Sequence, residues 1–181
     1  DRQMRRKFRP YQVPTQGELA PYLRETPVRI EAMIRDAGMI LEDADLEEGV
    51  SSTLEAADGR YRITLSTQYG EARRRFAAAY ELARVMLDRS GVRDHPGPHA
   101  SRLFQAPAPG QSRAVSPEAE RLALALLLPA AGLREMHLAG KGPREIAEAC
   151  LSAPNAVIAR LRTLSLKPHP DPAAPDPAPE P

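Results

Sequence analysis

Aromatic side chains are scarce in this chain. They make up 4% of 181 residues, and tryptophan is absent, so a core must be assembled from Ala, Leu, Val and Ile. Cysteine is nearly missing as well. The single Cys150 excludes an internal disulfide and fits a packing role in a reducing compartment, the cytoplasm. A surplus of one charge is also lacking. The 25 Lys and Arg stand against 24 Asp and Glu, a net charge of +1, which points to neither nucleic acid nor an acidic substrate. No apolar run approaches the roughly 20 residues of a membrane span, so no membrane association is expected. The basic N-terminus is followed by no apolar core, which argues against a signal peptide. The rest is ordinary for a soluble protein: 42% apolar, 27% charged, and long enough for one domain with a substantial core.

The most informative stretch is Arg73 to Leu87. It has no Gly or Pro and many helix formers, so it predicts a helix. Phe76, Ala79, Ala83 and Leu87 recur at helical spacing, with Leu82 and Met86 beside them. Tyr80, Glu81 and Arg84 interrupt this apolar pattern with polar groups. Positions 80 and 84 are four apart and share a helix face. Zinc peptidases use that spacing for His-Glu-x-x-His, two metal ligands with a glutamate base between them. Here the two ligand slots hold Tyr80 and Arg84. Without further context, the plain reading is a partly exposed helix with a surface pair.

Residues 1–26 form a basic extension, with Arg2, Arg5, Arg6, Lys7 and Arg9 most simply read as a solvated tail. A short helix is expected over 16–24, with Thr15 as N-cap and Glu18 completing a capping box. Thr26 as N-cap and Pro27 at the first position predict a second helix, carrying Ile30, Met33, Ile34 and Ala37 and ending at Gly38. Met39-Ile40-Leu41 reads as a first strand, followed by an acidic loop. Val50–Ala56 and Arg60–Leu65 read as a hairpin around Asp58-Gly59. The long helix follows, over about 70–89. Residues 91–115, which include His95 and His99, read as a long loop. Ser116 and Pro117 then open an apolar, central helix that runs until Pro129. A short helix over Leu133–Leu138 precedes a helix–turn–helix-like pair, Pro143–Cys150 and Pro154–Leu164. Residues 167–181 are Pro-rich and are expected to be a disordered, partly polyproline tail.

Five of these segments, in this order, resemble the ImmA/IrrE family of zinc metallopeptidase-like proteins. Pro27 to Ala32 resembles the family's first helix, and Arg60 to Ser66 the strand before the active-site helix. Arg75-Phe76-Ala77-Ala78-Ala79-Tyr80-Glu81-Leu82-Ala83-Arg84 is similar to Arg-Phe-Thr-x-Ala-His-Glu-Leu-Gly-His. Glu118 to Pro129 is similar to the Glu-Ala-Asn-x-Phe-Ala-x-x-Leu-Leu-Met-Pro helix, and Ile146 to Leu164 to the closing helical pair. The resemblance covers residues 27–166. It implies a zincin-like α+β fold: a small antiparallel sheet packed on an active-site-type helix, then a mostly helical C-terminal half.

In the family's terms Glu81 is the general base and Glu118 the third zinc ligand. Both histidine ligands are replaced, by Tyr80 and Arg84. A guanidinium has no lone pair for a metal and repels a divalent ion. A phenol ionises only near pH 10 unless a metal acidifies it. No metal and no other cofactor are therefore expected, and Glu81 is vestigial as a catalytic group. Arg84 is expected to bridge Glu118, and Glu81 as well, with Tyr80 donating its hydroxyl to one carboxylate. The resemblance then implies a non-catalytic, pseudo-peptidase binding module. Its expected partner is a protein, a helix-turn-helix transcriptional regulator of a phage, mobile element or stress response. Two other functions stay open. One is an active metallopeptidase whose remodelled site uses Tyr80, Glu118 and His95 or His99. The other is DNA binding through the C-terminal pair, where Asn155, Arg160 and Arg162 are candidate contacts.

Overall fold

In the computed structural model, which describes residues 13–57, 59–87 and 116–172, the informative stretch is one helix, α3 (Glu71–Leu87). Every residue from Arg75 to Ala83 is buried. That run exceeds two helical turns, so α3 is enclosed all round rather than on one stripe. The alanines at 77, 78, 79 and 83 are what allow neighbours to close in from several sides.

On one side lies a three-stranded sheet, β1 (Ile40–Ala44), β2 (Ser52–Ala57) and β3 (Arg60–Ser66), in the order β1-β3-β2. The expected hairpin is present. Leu54 pairs with Ile63 and Ser52 with Leu65, antiparallel, and Gly59 supplies the turn's left-handed φ of +74°. The sheet is not antiparallel throughout, however. β1 joins the opposite edge of β3 and runs parallel to it, Leu41 against Ile63. Parallel pairing needs a long connection between the two strands, and residues 45–59, which include β2, provide it. As the central strand, β3 buries Thr64 as well as Tyr61, Ile63 and Leu65, so the alternation seen in sequence ends there.

On the other side the C-terminal half is helical: α4 (Pro117–Leu127), α5 (Ala130–Leu138), α6 (Pro143–Cys150) and α7 (Pro154–Thr163). Ser116 caps α4, its Oγ accepting from Ala119 N at 3.3 Å, and Pro117 takes the first turn, where no N–H is needed. Prolines likewise open α6 and α7. Among the described residues no helix is long and apolar enough to cross a membrane.

The N-terminal segment follows its sequence signals in part. The Thr15–Glu18 capping box forms, with Thr15 N donating to Glu18 Oε2 at 2.8 Å. The helix expected over 16–24 is divided into α1 (Gln16–Leu19) and a short 3-10 turn (Tyr22–Arg24), because Pro21 between them has no N–H to give. The next helix, α2 (Ile30–Asp36), starts three positions after Pro27, with Arg29 rather than Thr26 at its N-cap. Val28 is buried, and its carbonyl accepts from Arg75 Nη2 at 2.6 Å. That tertiary bond uses the backbone that local signals assign to a first helical turn. The turn between α6 and α7 holds Leu151 at φ +50°, ahead of the expected pivot Ser152. Residues 167–172, expected to begin a disordered tail, lie against α5 and α6, with Asp171 accepting from Arg144 N at 2.7 Å.

Arg75 joins three parts of this fold. Its side chain is 5% exposed. Besides Val28 it reaches the Leu151 carbonyl through Nε at 3.2 Å and the Glu31 carboxylate through Nη1 at 3.6 Å. The N-terminal segment and the α6–α7 turn are thus both tied to α3. Arg75→Met should keep most of the packing and remove both carbonyl contacts; the Val28 carbonyl keeps its bond from Ile30 N, and the Leu151 carbonyl belongs to an exposed residue. We expect a loss of roughly 1–3 kcal/mol, about that of one or two net hydrogen bonds from a charged donor, measured by urea unfolding.

Candidate functional site

Glu81 sits in the middle of the enclosed run of α3, and its side chain is fully buried. A lone carboxylate there would be very costly. Both of its oxygens are engaged. Ser52 Oγ donates to Oε1 at 2.8 Å, from the first residue of β2. Arg84 Nη1 donates to Oε2 at 2.8 Å from one turn further along α3. Arg84 is itself only 12% exposed, so the pair is shielded from the solvent screening that weakens surface pairs. Burial pushes the Glu81 carboxyl above the usual carboxylate range, while the Arg84 charge and the Ser52 and Arg84 hydrogen bonds oppose that rise.

Tyr80 faces the start of α4. Its hydroxyl oxygen accepts from Ser116 N at 3.0 Å, and its ring stacks on Phe76 with centroids 6.3 Å apart. Burial raises the phenol's pKa above its ordinary value of 10. The Ser116 bond, which favours phenolate, is the smaller influence. A cold, neutral phenol already accepting a backbone hydrogen bond is poorly suited to replace an imidazole.

The structure brings together three of the four expected site residues, Tyr80, Glu81 and Arg84. Glu118 is not joined to them. It is exposed on the first turn of α4, and among the described residues Arg84 makes no ion pair with it. The expected Arg84–Glu118 bridge is therefore replaced by the Arg84–Glu81 pair inside α3. The physical reason is cost: the fully buried carboxylate needs the countercharge, whereas exposed Glu118 is solvated by water. Glu120, two residues on, is the α4 carboxylate whose charge reaches Tyr80. His95 and His99 lie outside the described residues.

Two contributors were missed by sequence reasoning. Ser52 is 1% exposed at an inward position of an apolar strand face, and such a buried hydroxyl calls for a partner. That was a readable signal. Ser116 was read as a helix cap, which it is, but its N–H bond to Tyr80 had no sequence signature.

Zinc takes three or four imidazole, thiolate or carboxylate donors. Tyr80 offers one neutral phenol, Arg84 none, and both oxygens of Glu81 already accept hydrogen bonds. Among the described residues no group of three or more His, Cys, Asp or Glu is placed to hold a metal. This donor set does not fit zinc, and no chemistry through a metal is derived from it. What the arrangement does do is cross-link. Ser52, Glu81 and Arg84 tie β2 to α3, and Tyr80 ties α3 to α4. Arg160, a candidate DNA contact, also turns inward: its Nε donates to the Leu128 carbonyl at 3.0 Å and its guanidinium is partly desolvated.

Two outcomes follow for the buried pair. Arg84→Met should strand the Glu81 charge and cost roughly 3–5 kcal/mol. Adding Glu81→Gln should recover part of that loss, a non-additivity visible in a double-mutant cycle by chemical denaturation. The second outcome concerns pH. Glu81 is raised above its ordinary 4.5 in the folded chain, so the unfolded chain loses this proton first. The stability of the wild type relative to Glu81→Gln should therefore decline as pH rises from about 4.5 through the folded pKa. A flat difference across that window would contradict the assignment.

The scaffold around these residues has a counterpart among known proteins. The family model described as the IrrE N-terminal-like domain, a peptidase M78 family, matches residues 35–162. No curated protein sequence matches the chain. The matched region takes in β1, the hairpin, α3 and all four C-terminal helices except the last residue of α7. On that match the chain belongs to the IrrE N-terminal-like domain family.

Proposed function

We propose that this chain is a non-catalytic, pseudo-peptidase member of its family, a regulatory module that binds a protein partner. The observation that carries the reading is the state of Glu81. A general base must reach the water or substrate proton it abstracts. Glu81 is fully buried and accepts from Ser52 and Arg84 instead. The positions flanking it, where the family motif has imidazoles, hold a phenol and a guanidinium. The helix has kept the family's scaffold position and exchanged its chemistry for an internal ion pair.

The partner class comes from the resemblance. Family members act on or with helix-turn-helix repressors of phages, mobile elements and stress responses, so a helix-turn-helix transcriptional regulator is the partner we propose. An arrangement that no longer cleaves can still hold such a regulator against the surface beside α3. Direct DNA binding through α6 and α7 is the weaker reading, since Arg160 is occupied by the Leu128 carbonyl.

Metal analysis of the full chain, purified with zinc present, is the direct test. We expect far less than one zinc per chain, and one tightly held equivalent would overturn the reading. Glu81→Gln should leave binding to a cognate regulator intact. Loss of a cleavage activity in that variant would assign Glu81 to catalysis.

A further inference from the structure

The C-terminal segment after α7 does not leave the domain directly. Leu164 and Leu166 pack on the core, and Leu166 N bonds back to Leu161 O at 2.9 Å, which fixes the exit path. The chain then crosses the end of α5 and reaches the start of α6. Three features define its seat there.

The first is a reciprocal histidine bracket. His137, in the last turn of α5, donates from Nε2 to the Lys167 carbonyl at 2.8 Å. His169 donates from Nε2 to the His137 carbonyl at 3.0 Å. With a carbonyl as acceptor, each Nε2 must carry the proton. The two rings stack with centroids 4.3 Å apart. The second is Asp171. Its Oδ1 accepts from Arg144 N in the first turn of α6, and its Oδ2 lies 3.8 Å from Arg144 Nε. A carboxylate at that end is favoured by the unpaired amides and the helix dipole. The third is Gly142. A Cβ on it would stand 2.5 Å from Asp171 Oδ1, 2.8 Å from Asp171 Cα and 3.0 Å from the Pro170 carbonyl. The seat therefore has room for the segment because position 142 has no side chain.

We propose that the seat formed by His137, Gly142 and the first turn of α6 is a recognition surface for a Pro-His-Pro-Asp peptide. Its occupant here is the chain's own Pro168–Asp171, acting as a latch. The prolines are pre-set in extended conformations, which lowers the ordering cost of docking. The carboxylate supplies the specific anchor, and the glycine admits it. This surface involves none of Tyr80, Glu81 or Arg84, and the proposal does not depend on whether the domain has lost its catalytic role.

Amide hydrogen exchange at Arg144 reads the latch directly in the full chain. Asp171→Ala should speed exchange there roughly tenfold to a hundredfold, the range for losing a hydrogen bond to a charged acceptor. Exchange at Leu161 should stay unchanged, which separates release of the latch from loss of the fold. A synthetic peptide spanning residues 166–172, added at millimolar concentration to the Asp171→Ala chain, should restore protection at Arg144. The same peptide carrying Asp171→Ala should not. Gly142→Ala should show fast exchange that neither peptide slows. Arg144 exchange unaffected by Asp171→Ala would overturn the latch. Protection restored equally by both peptides, or not restored by the wild-type peptide, would overturn recognition of the aspartate.

Discussion

A fully buried carboxylate must have its charge answered from inside the protein, and the Ser52–Glu81–Arg84 arrangement is built around that requirement. Glu81 lies in a helix packed against the sheet, α2 and α4, where water cannot solvate it. One partner comes from β2 and one from the next turn of α3 itself. The same constraint ties the edge strand β2 to α3 through Ser52. It also explains why Arg84, only 12% exposed, is turned inward rather than toward solvent.

Other polar side chains of α3 add cross-links around the buried pair. Tyr80, beside Glu81 in sequence, leads in the other direction and accepts from the amide that opens α4. Arg75, one and a half turns earlier, gathers Val28 and Leu151. These three successive polar side chains of α3 therefore connect the helix with the hairpin, with α4, and with the N-terminal segment and the α6–α7 turn. In a metal enzyme of this architecture an ion supplies cross-links between helices. Here hydrogen bonds and one ion pair supply the cross-links, and their geometry leaves no donor set suited to zinc among the described residues.

Much of the architecture was legible in the sequence because its signals were local. Ser116-Pro117 marked the start of α4, Asp58-Gly59 the hairpin, Thr15 and Glu18 the first cap, and the prolines at 143 and 154 the final pair. Each signal works through atoms a few residues apart, so no tertiary knowledge is needed. The same reasoning failed at Thr26-Pro27. A good cap signature there was overruled by Arg75, which is 47 residues away from Val28 in sequence and claims its carbonyl. It failed again at residues 167–172, where composition indicated disorder but His137 and Arg144 hold Lys167 and Asp171.

The candidate site divides along the same line. The sequence by itself determined which groups are available: a glutamate at 81, no imidazole at 80 or 84, and a permanent cation one turn after Glu81. Those identities exclude or permit chemistry whatever the fold. Only the tertiary structure decided which carboxylate the cation serves. Glu118 and Glu81 are equally acidic as residue types, and the family pattern favoured a bridge between helices. Burial separated them: exposed Glu118 is solvated by water, whereas Glu81 has no water to turn to and takes both Arg84 and Ser52. Desolvation is a property of the packed molecule, and no spacing in the chain encodes it.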